Sequence, residues 1–305
     1  MKPGHSFAHY SVAAKIGAGG MGEVFRASDS RLNRDVALKV LPDSFAADPD
    51  RLARFKREAQ VLASLNHPGI AAIYGLESQD GTHALAMELV DGPDLSDRLE
   101  AGPLPVDEAL DFAIQIAEAM EAAHEKGVIH RDLKPANVKI TPEGRVKILD
   151  FGLAKALVDE PEDSGLDPLM SPTMTDNMTQ AGVILGTAAY MSPEQARGKA
   201  ADHRAVIWAF GALLYEMLTG KRLFGGETIS DSLAAILRAE PDWSAVPDDL
   251  DPAAKLVLRR CLERQVTDRL QNMGDARILL GETLAAAGGG PILSLIHISE
   301  PTRQL

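Results

Sequence analysis

The sequence has a single cysteine, Cys261, among 305 residues, and it has fewer basic than acidic side chains. One thiol cannot form an intramolecular disulfide, so a disulfide-stabilised secreted scaffold is excluded and a reducing cytoplasm is expected. The formal net charge of −13 disfavours a nucleic-acid partner, since a phosphate backbone requires a basic surface. The length of 305 residues predicts about two domains or one two-lobed domain, and the hydrophobic content of 45% is enough for a real core.

Long apolar runs and a targeting signal are also missing from the sequence. Residues 1–10 lack the apolar core of a signal peptide. The longest apolar stretch, residues 206–218, contains Glu216 and is too short to cross a bilayer. It predicts a central helix that is apolar on most faces, and weaker helical patterns follow at 229–237, 253–262 and 274–286.

A glycine-rich turn lies between two β-type segments near the N-terminus. Gly17, Gly19 and Gly22 follow residues 12–16, and a second β-type segment follows at 24–27. A dinucleotide-binding fold would need a helix to begin at these glycines, so the pattern predicts a hairpin instead. Its main-chain N–H groups could close over phosphates, and an ordinary glycine-rich hairpin is the alternative.

Lys39 lies in a further β-type segment, residues 36–41, among apolar neighbours that make a counter-ion necessary. A helix is predicted to begin at Asp48 and Pro49, with apolar residues at helical spacing thereafter. Glu58 lies beside that apolar stripe, and we expect it to face Lys39. The alternative is a solvated glutamate on a charged helix.

The segment from His130 to Asn137 concentrates groups suited to phosphate chemistry. It contains Asp132, Lys134 and Asn137, and a second acidic tripeptide begins at Asp150. Carboxylate and amide oxygens at this density suit a site that handles a hydroxyl proton and a hard cation such as Mg²⁺.

Two later segments of the sequence, residues 150–194 and 293–303, lead to separate predictions. Residues 150–194 form a long stretch rich in Pro, Ser and Thr, which predicts a functional or mobile loop. Residues 293–303 resemble a translated sequencing adapter, so residues 291–305 are expected to be a non-native tail. The natural reading frame is then expected to continue beyond that point.

Taken in order, these motifs resemble the eukaryotic-like serine/threonine protein kinase family in its bacterial form, over about residues 10–287. The set comprises a glycine hairpin, a strand lysine, a helix glutamate, H-R-D-x-K-x-x-N, D-F-G and a Pro-Glu anchor. The resemblance implies an α+β bilobal fold, with a β-rich N-lobe at 1–90 and a larger, mainly helical C-lobe at 91–290.

The same resemblance implies roles for individual residues. ATP and Mg²⁺, or Mn²⁺ in its place, are the expected cofactors. Asp132 would orient the substrate hydroxyl, Lys134 would neutralise the transferring phosphoryl group, Lys39 held by Glu58 would bind the phosphates, and Asn137 and Asp150 would ligate the metal. The residues expected around the nucleotide are Ile16, Gly17, Gly19, Gly22, Val24, Ala37, Lys39, Met87, Glu88 and Val90. His130 and Phe151 would be structural, packing near Leu62.

Regulation and partners follow from the resemblance in the same way. Arg131 beside Asp132 implies control by phosphorylation of the long loop, with Thr173, Thr175 or Thr179 as the acceptor. The partner would be a protein with a Ser or Thr acceptor, including this chain itself. The expected location is the cytoplasm, and related bacterial chains often carry a membrane span after the kinase part. Glu194 would pair with Arg269.

The sequence departs from the family at Val206, where an Asp usually accepts N–H bonds from the catalytic loop, which is the segment 130–137 in this sequence. Valine cannot accept them, so buried donors near His130 and Arg131 are expected to lack a partner, at about 1–3 kcal/mol. Two hypotheses remain, an active Ser/Thr kinase and a pseudokinase or ATP-binding scaffold weakened by Val206. A small-molecule kinase is a more distant third, and a P-loop NTPase is disfavoured because G-x-x-x-x-G-K-[ST] does not occur.

Overall fold

The computed structural model describes residues 1–19, 22–42, 49–151 and 188–287. An antiparallel sheet with one packed helix forms the N-terminal part, and helices form most of the remainder, which confirms the α+β bilobal prediction. The strands are β1 (Ser6–Phe7), β2 (Tyr10–Gly19), β3 (Gly22–Asp29), β4 (Arg34–Val40), β5 (Ile73–Gln79), β6 (Thr82–Glu88), β7 (Val138–Ile140) and β8 (Val146–Ile148).

The first six strands form one sheet in the order β1-β2-β3-β4-β6-β5, with every neighbouring pair antiparallel. Alternate side chains of β4 enter two different apolar clusters because strand residues point to opposite faces. Val36 and Leu38 pack with Phe25 and other residues on one face. Ala37 packs on the other face, in the core that continues into the helical part.

The helices are α1 (Pro49–Ala63), α2 (Leu95–Leu99), α3 (Val106–Glu125), α4 (Pro193–Ala196), α5 (His203–Thr219), α6 (Ile229–Arg238), α7 (Pro252–Cys261) and α8 (Met273–Ala287). The start of α1 agrees with the predicted proline at the first turn, while Asp48 lies outside the described residues. No helix in the described ranges combines the length and apolar character needed to cross a bilayer.

Helix α5 is the centre of the helical part, as predicted from its apolar character. Asp202 caps its N-terminus by accepting the N–H of Arg204, and Gly220 ends it in the left-handed region, with φ +66°. Its residues from Ala205 to Leu218 are buried all round, against α3 and α7 among others. Three of its residues, Ala205, Val206 and Ala209, line a small cavity together with residues 131–133, which precede β7.

The short hairpin of β7 and β8 joins the two parts of the fold. Its strands pair antiparallel, and Ile148 also bridges to Ile70. The N–H of Ile148 donates to the carbonyl of Gly69 at 2.8 Å, and the N–H of Ala71 donates to Ile148 at 2.9 Å. The end of β8 is therefore fixed against the chain that leads into β5, and Asp150 follows two residues later.

Candidate active site

One face of the sheet gathers the predicted nucleotide-contacting side chains. The register places Val24 opposite Lys39, and Ala37 opposite Met87. Directly opposed residues and residues two apart share a face, so these four side chains lie on the same side of the sheet. Ala37, Lys39 and Met87 are buried and Val24 is half-buried.

The glycine hairpin forms as predicted at the end of this face, between β2 and β3. Gly19 pairs with Gly22, and Gly17 pairs with Val24. Gly22 has φ +114°, and a Cβ there would lie 1.9 Å from the carbonyl oxygen of Val40. Only glycine fits, so the sequence requirement at this turn is steric as well as conformational. Ile16 is half-exposed on β2 just before the hairpin.

Lys39 points from the sheet toward the chain after β8. Its Nζ lies 2.9 Å from Asp150 Oδ2, and its side chain is only 5% exposed. A buried ammonium group is tolerated where a carboxylate faces it, and Asp150 supplies that carboxylate. The predicted pairing of Lys39 with Glu58, which is half-buried on α1, stays a prediction.

Asp132, Lys134 and Asn137 form a hydrogen-bonded cluster within six residues of chain. Lys134 Nζ lies 2.8 Å from Asp132 Oδ2. Asn137 Nδ2 donates to the carbonyl of Asp132 at 2.8 Å and to Asp132 Oδ2 at 3.3 Å. The Asp132 carboxylate is thereby held between a cation and an amide, with its side chain 16% exposed. A carboxylate fixed in this way can orient a hydroxyl group.

His130 fastens this cluster to the segment that carries Asp150. Its Nε2 bonds to the carbonyl of Leu149 at 2.8 Å, and its Nδ1 accepts the N–H of Asp132 at 3.3 Å. Burial lowers the pKa of His130, which keeps the ring neutral and suits one donating and one accepting nitrogen. The ring also meets Phe151 edge-on, with centroids 4.7 Å apart, in the structural role predicted for both.

Arg131, between these two residues, has a strained backbone. Its φ is +63°, and the N–H of Asp132 donates to the carbonyl of His130 at 2.9 Å, which makes Arg131 the centre of a γ-turn with positive φ. Asp150 has φ +58°. Such conformations cost about 1–3 kcal/mol each and persist where surrounding contacts hold them. Both lie at the candidate site.

The chain that leaves β6 is tied to β8 by a pair that the sequence analysis did not identify. Glu88 Oε1 lies 2.6 Å from Lys147 Nζ, and Glu88 Oε2 accepts the N–H of Ala72 at 3.1 Å. Val90 follows, half-buried. The alternation Val146-Lys147-Ile148 predicts a strand with Lys147 on its polar face, but nothing local indicates its partner 59 residues earlier in the sequence.

The predicted anchor between Glu194 and Arg269 is confirmed. Arg269 Nη1 lies 2.7 Å from Glu194 Oε1, Nη2 lies 2.9 Å from Oε2, and the arginine side chain is fully buried. Burial alone would raise the pKa of Glu194, but hydrogen bonds and charge from Arg269 outweigh it and lower the pKa. This bidentate pair fixes the segment at Tyr190–Glu194 onto the helical part.

A second buried contact in this segment was missed by the sequence analysis. Tyr190 donates its hydroxyl to Glu216 Oε2, on α5. Burial raises the pKa of Glu216, as it does that of Tyr190. The only signal in the sequence was a charged residue inside an otherwise apolar helix, which predicts a buried polar partner without naming it.

The residues present fit a magnesium ion held together with a nucleotide. The described ranges contain no cluster of three or more His, Cys, Asp or Glu side chains placed to hold a metal. Mg²⁺ is usually bound by one or two protein ligands together with substrate phosphates, so Asp150 and Asn137 are sufficient. Since the Asn137 amide donates its NH₂ to Asp132, its oxygen remains for the metal.

The predicted phosphorylation sites Thr173, Thr175 and Thr179 lie outside the described residues, as does the predicted tail at 291–305. The roles assigned to the other site residues stay predictions.

Comparison with known proteins shows which family this chain is similar to. A profile described as the protein kinase domain matches residues 10–277. A probable serine/threonine-protein kinase of Streptomyces coelicolor is 39% identical over 275 residues, covering 88% of this chain and 39% of that protein. The serine/threonine-protein kinase PknB of Mycobacterium tuberculosis is 37% identical over 281 residues, covering 90% of this chain and 43% of its own length. The chain therefore spans about two fifths of the curated relatives it matches.

Solved structures give the same answer for the fold. The crystal structure of the Mycobacterium tuberculosis PknI kinase domain matches with a TM-score of 0.69 at 28% identity. The match covers 93% of this chain and 99% of that one.

Proposed function

This chain belongs to the protein kinase family, and on that premise we propose that it transfers the γ-phosphoryl group of ATP to Ser or Thr hydroxyls of proteins. One observation carries the proposal. The Lys39–Asp150 contact and the Asp132–Lys134–Asn137 cluster are joined through Leu149, which bonds to both His130 and Asn137. The groups proposed to ligate the metal and to orient the hydroxyl therefore lie within residues 132–150, and Lys39, proposed to bind the phosphates, contacts this stretch at Asp150.

Each residue has a positioning or electrostatic task, because phosphoryl transfer depends mainly on alignment and charge neutralisation. Asp132 holds the acceptor hydroxyl and receives its proton. Lys134, 2.8 Å from Asp132, neutralises charge on the phosphoryl group in transfer. Mg²⁺, held by Asn137 and Asp150, supplies Lewis-acid neutralisation of the phosphates when it is bound.

The nucleotide is proposed to lie against the sheet face of Val24, Ala37 and Met87, with main-chain groups of residues 88–90 meeting the adenine edge. Lys39 contacts the phosphates there, with Glu58 as a second partner, and the hairpin of Gly17, Gly19 and Gly22 covers them. Ile16 borders the same space. In this proposal residues 1–90 form the N-lobe, residues 91–290 form the C-lobe, and the interface between them is the catalytic cleft.

Regulation and location are part of the same proposal. A phosphate carried by Thr173, Thr175 or Thr179 pairs with the guanidinium of Arg131 and so couples phosphorylation of the long loop to the catalytic loop. The substrates are proteins, including a second copy of this chain, and the kinase works in the cytoplasm, where ATP is available.

The alternative of a pseudokinase rests on Val206, which is buried in α5. It is not favoured, since Lys39, Asp132, Asn137 and Asp150 are all present and the first and last of these are in contact. The test is incubation with γ-labelled ATP and Mg²⁺, with Asp150→Asn as the blank. Acid-stable phosphoserine or phosphothreonine above that blank is expected, and labelling equal to the blank would reject the proposal.

A further inference from the structure

A cavity of about 40 Å³ lies beneath the catalytic loop, between that loop, the anchor segment and α5. It is lined by Arg131, Asp132 and Leu133 from the loop, by Tyr190, Met191 and Gln195 from the anchor segment, and by Ala205, Val206 and Ala209 from α5. A space that admits water-sized spheres over about 10–15 Å³ can already hold one water molecule. This cavity is larger than that minimum.

Arg131, which lines the cavity, and His130, which precedes it, carry main-chain N–H groups without a hydrogen-bond partner in the part of the chain that the structure describes. Within the described ranges, the main-chain N–H groups of His130 and Arg131 donate to no carbonyl or side chain. His130 is fully buried, so its N–H cannot turn to bulk solvent. A buried donor left unpaired is costly, and such groups in folded proteins are almost always paired with protein or with a bound molecule.

The side-chain oxygens around the cavity are engaged elsewhere, since the Asp132 carboxylate bonds to Lys134 and Asn137 and the Tyr190 hydroxyl bonds to Glu216. Gln195 uses its Oε1 to accept the N–H of Ser192 at 2.9 Å, which leaves its NH₂ group. Val206, at the floor of the cavity, offers only methyl groups. Asp202, at the start of the same helix, is bonded to Arg204 and is used as the N-cap.

The turn above the cavity also needs support. Arg131 is held at φ +63° in a γ-turn that is restrained by the ring of His130 and by the bond from Asn137 to the carbonyl of Asp132. Strained turns persist where several contacts over-determine them. An acceptor in the cavity would hold the other side of the turn and fix the direction of the next residue, Asp132.

We propose that this cavity is a binding site for one small oxygen acceptor, water or a monocarboxylate such as formate, which bonds the N–H groups of the catalytic loop and holds Asp132 in place. The bound acceptor takes the hydrogen bonds that a carboxylate side chain at position 206 would otherwise accept. The inference deepens the proposed function through its effect on Asp132, but its stability test does not depend on phosphoryl transfer.

Three substitutions at one position separate a polar site from an apolar gap. Val206→Asp places an acceptor in the cavity, Val206→Leu fills it with hydrocarbon, and Val206→Ala enlarges it. The melting temperature of each full chain is measured in sodium formate, in formamide of the same concentration, and in sodium chloride of the same ionic strength. Val206→Asp is expected to melt highest, and it is expected not to respond to formate because its own carboxylate occupies the site.

The melting temperature of Val206→Ala in the three additives shows whether the bound acceptor is water or a monocarboxylate. General effects of the additives are removed by comparison with Val206→Asp. If formate, relative to chloride, raises the melting temperature of Val206→Ala more than that of Val206→Asp, the acceptor is a monocarboxylate. If it does not, and Val206→Asp still melts above Val206→Leu, the acceptor is water. Both results support the site. If Val206→Leu melts at or above the melting temperature of Val206→Asp, the cavity is an apolar packing gap and the proposal is overturned.

The kinetic arm uses the same variants. Val206→Asp is expected to transfer phosphate at least about tenfold faster than Val206→Ala, since hydrogen bonds to a charged acceptor are among the stronger ones. If no variant transfers phosphate but the order of melting temperatures holds, the proposed function fails and the cavity site stands. If transfer is observed but the order is reversed, the proposed function stands and the site fails.

Discussion

The buried pair between Glu194 and Arg269 offers a quantitative test of how the segment beside the catalytic loop is held. Glu194→Gln keeps the shape of the side chain and removes its charge. The guanidinium then keeps the carbonyls of Glu263, 3.0 Å from Nε, and Arg204, 2.8 Å from Nη1, but it loses its only carboxylate within the described ranges. An uncompensated buried charge is the expected result.

The size of the effect follows from the burial of the pair. Arg269 is fully buried and Glu194 is 11% exposed at its side chain. Removing one partner of such a pair costs about 3–5 kcal/mol, far more than the net contribution of the intact pair. For a domain of this size each kcal/mol lowers the melting temperature by about 2–4 °C, so a fall of about 6–20 °C is expected.

The assay is urea unfolding with thermal melting as a second probe, and Glu240→Gln is the matched control. Glu240 also pairs with an arginine, Arg264 at 2.8 Å, but its side chain is 78% exposed. The control is expected to lose about 1 kcal/mol at most. A double variant, Glu194→Leu with Arg269→Met, should recover much of the loss because both charges are then removed. Equal losses in Glu194→Gln and Glu240→Gln would refute the reasoning.

Two further predictions concern the helical core. Burial lowers the pKa of His124 to about 4, so the unfolded chain binds its proton first as pH falls from 6.5. The free energy of unfolding therefore falls between pH 6.5 and about 4, by up to about 3 kcal/mol. His124→Gln should flatten this pH dependence, measured by urea unfolding at a series of pH values. An unchanged slope would contradict the assignment. Gly211→Ala should lower the free energy of unfolding by about 1–3 kcal/mol, since the added Cβ would lie 2.7 Å from Cys261 Cβ. In the control Gly281→Ala the added Cβ meets nothing within 4 Å, so that variant should be neutral or stabilising. Equal melting temperatures for the two variants would contradict the packing.

Local patterns in the sequence predicted the helices and strands well where the apolar residues recur at a single helical or strand spacing. The apolar stretch at 206–218 became α5, and the helical patterns at 229–237, 253–262 and 274–286 became α6, α7 and α8 within about two residues. The glycines predicted a hairpin because a β-type segment, and not a helix, follows them. The hairpin of β7 and β8 was not identified, although Gly144 between two Val-Lys-Ile segments is a recognisable turn signal.

Contacts between distant parts of the chain could not be derived in this way. The Lys39–Asp150 and Glu88–Lys147 pairs join residues far apart in sequence, and each charged side chain had several chemically equivalent candidates. Family resemblance indicated Glu194–Arg269, since it carries information on spatial pairing that periodicity lacks. The cavity beside Val206 depends on the packing of three segments, which no local pattern reports.

The central claim is that Asp132 acts on the acceptor hydroxyl while Lys39, Asn137 and Asp150 hold the nucleotide and its metal. The most direct measurement is a comparison of Mg·ATP affinity and phosphoryl transfer in Asp132→Asn and the unsubstituted chain. We expect the dissociation constant of Mg·ATP to change by less than about threefold and the transfer rate to fall by at least about 10²-fold, the usual contribution of a positioned acid–base group. Transfer by Asp132→Asn at the unsubstituted rate would contradict the account.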